Sequence, residues 1–203
     1  MAEKLADTML ICSEKTIGDC AVDIYYYKPT VQSNGVLFTD GLRHHNQHEL
    51  AGQTENIYQA IELYFLLPSH WSLEKENQKW PIAVLQRLIA GQREQKAWFG
   101  PGDTLTAHPK SKDSSSIPLS INNQFKQNHF ILTEPVAATE LLENRIEGDL
   151  TWLAIVPIFQ KEFEYKNSRS ALELMMNFQK KNITEEIDEY RKVAARRKFF
   201  GLF

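Results

Sequence analysis

The run Arg43-His44-His45-Asn46-Gln47-His48-Glu49 places three histidines and a carboxylate within one short polar stretch. Imidazole and carboxylate are usual zinc ligands, so a metal-dependent hydrolase built on His44, His45 and His48 is one reading. The spacing does not match the His-Glu-x-x-His pattern, which sets two histidines on one face of a helix. Structural zinc sites also rely mostly on cysteine, and none is near. The run therefore reads as a solvated loop, and no metal is assigned. Cys12 and Cys20 are not in a Cys-x-x-Cys motif and have no local histidine signature, so they read as inert, reduced thiols. Glu147 and Asp149 on one side of an apolar stretch, and Glu162 and Glu164 on the other, are the types an acid/base pair needs. Nothing in their spacing brings them together, and Glu162 and Glu164 read as a solvated helix entry. Gly100-Pro101-Gly102 lacks the Gly-Lys-Ser/Thr continuation of a phosphate loop and reads as a turn. Ser114-Ser115-Ser116 reads as an ordinary loop. No catalytic residue and no cofactor emerge, and the chain is expected not to be an enzyme.

The elements that would position any site follow from periodicity. Ile61 to Leu67 is expected as a strand with two largely apolar faces, stopped by Pro68. Trp80-Pro81 opens a helix whose apolar stripe is Ile82, Leu85, Leu88 and Ile89, with Trp80 anchored on the sheet. Gln86, Arg87 and Gln92 to Lys96 are expected to face water. Ala21 to Lys28 and Val36 to Thr39 are expected as strands of one hairpin, and Thr8 to Cys12 as either a helix end or a strand. A turn at Trp98 to Gly102 presents two aromatics expected at the surface. Further strands are expected at Asp103 to Ala107, Gln124 to Thr133 and Asp149 to Phe159, the last bent or bulged at Pro157. Ala137 to Asn144 suits a helical turn. Ser168 to Lys180 is expected as a helix capped by Ser168 or Ser170. A last helix is expected from Thr184, with Glu185, Glu186 and Asp188 in its first turn and Ile187, Tyr190 and Val193 or Ala194 buried. Strands run first and helices are few, which is α+β rather than regular βαβ alternation.

The 203 residues, 42% of them hydrophobic, allow one sizeable core. The net charge of −3 and pI near 6.1 do not call for nucleic acid or an anionic membrane. No signal peptide is read at the N-terminus, and the longest apolar run, Trp152 to Phe159, is far short of a membrane span. A soluble cytoplasmic protein is the expectation. The C-terminal stretch adds Arg191, Lys192, Arg196, Arg197 and Lys198, with Lys181 upstream, to Phe199, Phe200 and Phe203. That mixture suits an anionic surface or an acidic partner. Aromatics folded back on the core, beside a solvated basic face, is the competing reading.

In order along the chain, Val22-Asp23-Ile24-Tyr25 ending at Pro29, then Glu62, Leu63, Leu67, Pro68 and Trp71, then Trp80-Pro81, the Gly100 to Gly102 turn, and Val156-Pro157-Ile158 followed by Glu162, Glu164 and Tyr165, resemble the suppressor-of-fused domain. The resemblance runs from about residue 21 to residue 191. Residues 1–20 and 192–203 fall outside it. It implies a mixed β-sheet flanked by helices, of the bacterial single-domain type over residues 1–203, and a binding protein without established catalytic residues. In animals the family member sequesters a transcription factor. Bacterial members are often encoded in polymorphic-toxin loci and inferred to be immunity proteins. The expected function is thus protein binding, as an immunity protein against a toxin domain, with sequestration of an intracellular partner as the alternative. Tyr25, Tyr27, Trp98 and Phe99 are the candidate partner contacts, with a charged rim.

Overall fold

Ile61–Leu67, here β4, is the centre of the molecule, and every one of its residues is buried. Its apolar side chains alternate between two faces, and each face meets a separate core. The computed structural model describes residues 8–15, 21–31, 33–44, 58, 60–95, 98–106, 126–139, 142 and 150–195. The other strands are β1 (Thr8–Lys15), β2 (Ala21–Tyr27), β3 (Gly35–Asp40), β5 (Thr104–Thr106), β6 (His129–Thr133) and β7 (Thr151–Ile158). The helices are α1 (Trp80–Gln95), α2 (Gln160–Ser168) and α3 (Ala171–Lys180).

The seven strands form one sheet in the order β1-β2-β3-β4-β7-β6-β5. All neighbours are antiparallel except β4 and β7, which run parallel from Ile61–Thr151 to Tyr64–Ala154. A parallel neighbour requires a crossover rather than a hairpin, and the chain supplies it through α1, β5 and β6. The α+β architecture, a mixed sheet flanked by helices, is the one expected. Both strands with two apolar faces, β4 and β7, are central.

One core lies on the α1 face. There Leu63, Phe65, Leu67, Leu153, Ile155, Phe130 and Leu132 meet Trp71, Trp80, Val84, Leu85, Leu88 and Ile89. Trp80 is the expected anchor, edge-on to Phe65 at 5.4 Å and to Trp71 at 6.0 Å between centroids. Offset and edge-on aromatic pairs are favoured by the ring quadrupole. The second core joins Phe38, Tyr64, Leu66, Trp152, Ala154, Val156 and Ile158 to Leu174 and Phe178 of α3. Ser170 caps α3 by accepting from the Glu173 N–H at 3.1 Å.

Several expectations are corrected. Of the two alternatives for Thr8 to Cys12 the strand is the one observed, running on to Lys15 with a bulge between Leu10 and Cys12 against β2. The helix expected over Ser168 to Lys180 runs Ala171–Lys180, and a separate helix, Gln160–Ser168, precedes it. Gln92 is buried rather than solvated. The strand expected from Gln124 begins at His129. Pro157 stays in register with Phe130, without a bulge. Its carbonyl accepts from Arg191 at 2.8 Å, on the side away from β6. In a strand the N–H and C=O of one residue point the same way, so the missing N–H falls where no ladder needs it.

The largest correction is the last helix. Residues 184–195 are not helical. Their backbone enters the fork left where β7 departs from β4 beyond Ala154. Leu66 bridges Glu186 in parallel there, and the Ile187 N–H donates to the Leu66 carbonyl at 3.0 Å. Leu66 already faces Val36 of β3 on its other side. Ile187 and Ala194 are buried as expected, but Tyr190 is 90% exposed. The free edge of β4 offered these residues hydrogen bonds that outweighed helix propensity.

Candidate functional site

The titratable groups nearest the centre of the sheet are held in structural networks. Glu62 on β4 is fully buried. Its carboxylate accepts from the Thr39 hydroxyl at 2.6 Å and from the N–H groups of Gly41, Leu42 and Arg43 at 2.8, 3.3 and 3.2 Å. It thereby ties the turn after β3 to β4. Gly41 has φ +116, and a Cβ there would meet the Ala21 carbonyl at 2.5 Å, so the turn needs glycine. Burial pushes the Glu62 carboxyl up to about 7, against the lowering effect of its donors.

Glu162, on α2, is also buried rather than solvated. It takes a two-pronged pair from Arg191 at 2.6 and 2.7 Å and accepts from the N–H groups of Phe159 and Ala194 at 3.0 and 2.6 Å. The guanidinium lies over Phe159 and Phe178, 4.9 and 5.1 Å from the ring centroids. Glu185 accepts from three successive N–H groups, Val136, Ala137 and Ala138, at 3.0, 2.7 and 2.9 Å, and from the Tyr64 hydroxyl at 3.1 Å. Burial, then the charge of Glu185, push the Tyr64 phenol well above its ordinary value. Glu62 and Glu162 thus have both oxygens engaged by donors from their own fold, whereas the four donors to Glu185 all reach Oε1 and its buried Oε2 has no partner among the described residues.

The predicted contact residues separate into two regions. Tyr25 and Tyr27 are half-buried on the α2–α3 face, Tyr25 stacked on Phe38 at 5.8 Å with its hydroxyl donating to Asp23 at 3.3 Å. Trp98 is half-buried and edge-on to Tyr58 at 6.3 Å, and Tyr58 donates to Glu134 just past β6. Three strands, β3, β4 and β7, stand between β2 and β6, so these tyrosines and Trp98 do not form one patch. Phe99 is only 4% exposed and belongs to the α1-face core, contrary to the surface position expected of it. The turn itself forms as expected, with Gly102 at φ +90 and the Gly100 N–H bonded to Asp103 at 2.8 Å. Of the histidine run, Arg43 and His44 lie in a short 3-10 turn, while His45 and His48 lie outside the described residues, as do Cys20, Glu147, Asp149 and the serine run. Among the described residues, no group of three His, Cys, Asp or Glu side chains could hold a metal ion, and no helix is long and apolar enough to cross a membrane.

An open groove of about 550 Å³ lies between the start of β1, the end of β2 and the N-terminal turn of α1. Met9, Ile11, Leu73 and Ile82 form apolar walls, and Lys28, Glu74 and Lys79 also line it. Tyr26 lines it too, although 97% of its surface is covered, and its hydroxyl has no hydrogen-bond partner among the described residues. Burial, then Glu74, raise its phenol above the ordinary value. Composition hid this feature, because Tyr26 looked like one more strand aromatic.

Fold and site together define a three-layer α+β domain whose central acids hold the chain together. The sequence profile of the Suppressor of fused protein family matches residues 18–192, and the chain belongs to that family. Its fold is similar to that of the crystal structure of a Suppressor of fused homologue from Neisseria gonorrhoeae, at 15% identity and a TM-score of 0.61, covering 94% of this chain and 87% of that one. It is also similar to a chain of the Sufu-Fu complex (13% identity, TM-score 0.55, 94% of this chain and 86% of that one). The Drosophila Suppressor of Fused is similar at 14% identity and a TM-score of 0.53, with 86% of this chain covering 42% of that longer one. No curated protein matches the sequence.

Proposed function

We propose that the chain is a non-catalytic protein-binding domain, acting in the cytoplasm as an immunity protein that occupies and neutralises a polymorphic toxin. The observation that carries protein binding is the likeness over 94% of this chain to a chain of the Sufu-Fu complex, a structure of two proteins together. The likeness over 94% of this chain to the Neisseria homologue supports a bacterial type of the domain. The engagement of Glu62, Glu162 and Glu185 by their own backbone and side-chain donors supports a role without acid/base chemistry. Tyr25, Tyr27 and Trp98 are the contacts proposed for the partner.

The test is capture of tagged protein from its native cells, with mass spectrometry of the bound chains. The expected result is a stoichiometric toxin fragment whose toxicity the protein abolishes on co-expression. Recovery of a regulatory protein unrelated to any toxin would replace immunity with sequestration.

A further inference from the structure

We infer that the groove beside β1 takes an extended peptide segment carrying an acidic residue next to an apolar one. This rests on the reading that the chain binds a protein, and it gives that protein a contact surface apart from Tyr25, Tyr27 and Trp98.

Four observations converge on the groove. β1 ends the sheet, so its outer edge carries no neighbouring strand among the described residues. Such an edge can accept a peptide strand, whose alternate side chains then point to one face. Met9 is 55% exposed on that strand. Met9 pairs with Tyr26 in the register, so it stands on the groove face. The Tyr26 hydroxyl is buried without a partner, and an unmade hydrogen bond in such a place is costly. A peptide carbonyl or carboxylate would accept from it. Finally, the lining holds Lys28 and Lys79 against the single Glu74, opposite in sign to the chain's net −3. Lys79 already pairs with Glu76. Lys28 is exposed and makes no ion pair among the described residues, which leaves it to meet the acidic residue. The bulge between Leu10 and Cys12 breaks the edge, so the paired stretch is short and the apolar side chain enters beside Met9 and Ile82.

The test is selection of a phage-displayed random heptapeptide library on the intact chain, followed by affinity measurement of the enriched peptides. Peptides joining an acidic to an apolar residue should enrich. Lys28→Glu and Met9→Asp should each weaken them about tenfold, a loss near 1.4 kcal/mol, and Tyr26→Phe severalfold, while Leu172→Asp on α3 should leave affinity unchanged. No enrichment, or affinities indifferent to Lys28→Glu and Met9→Asp, would overturn the groove. Native capture is read separately. A toxin recovered alongside a failed selection upholds immunity and sinks the groove, and a successful selection without a toxin does the reverse.

Discussion

Glu62 shows how much one side chain can determine. An acid in a strand buried on both faces must find donors or lose its charge. It finds four, yet burial still lifts its carboxyl from 4.5 to about 7. The folded value exceeds the unfolded one, so the folded state holds the proton more tightly between them. The stability linked to this proton is therefore fully present below pH 4.5 and lost as pH rises through about 7, by roughly 3 kcal/mol. Urea midpoints measured from pH 4.5 to 7.5 should fall more steeply in the wild type than in Glu62→Gln, which has no proton to release. Parallel profiles would show that Glu62 is ionised throughout and that its donors outweigh burial.

At the scale of elements, the segment after α3 is a strap rather than a helix. Three acids and one arginine fasten it. Glu185 engages the turn before Thr139, Glu186 accepts from Asn34 at 2.7 Å, and Arg191 joins Glu162 and the Pro157 carbonyl. Arg191→Ala would leave Glu162 buried without its guanidinium, and removing one member of a buried pair costs about 3–5 kcal/mol. Chemical denaturation should show that loss. Arg191→Lys should recover only a minor part, since one ammonium cannot make the forked pair or lie flat over Phe159 and Phe178. Full recovery by lysine would mean that charge alone, rather than the fork, holds the strap.

Over the whole molecule, stability is centred on β4 and β7. They are the parallel pair, each buried on both faces, and Phe65 packs edge-on to Trp80 and Phe130 at 5.4 and 6.3 Å. Amides of Ile61–Leu67 and Leu153–Val156 should be the slowest to exchange with deuterium, because they open only with global unfolding. Amides of β1, at the end of the sheet, should exchange by local opening. Equal protection across all strands would instead describe a sheet that opens as one unit.

The sequence by itself determined the elements whose signals are local. Alternation and β-branched residues marked β2, β4 and β7, the Trp80-Pro81 start marked α1, and Gly100 to Gly102 marked a turn. It also carried the family resemblance, because ordered short motifs survive where overall identity is 13–15%. Tertiary structure alone decided the rest. Residues 184–195 had the acids and spacing of a helix start, but the open edge of β4 took their hydrogen bonds. Glu162 looked solvated until Arg191, distant in sequence, reached it. Phe99 looked like a contact until the α1-face core enclosed it. Periodicity reports which face a residue is on, whereas burial and partners depend on what the rest of the chain places against that face.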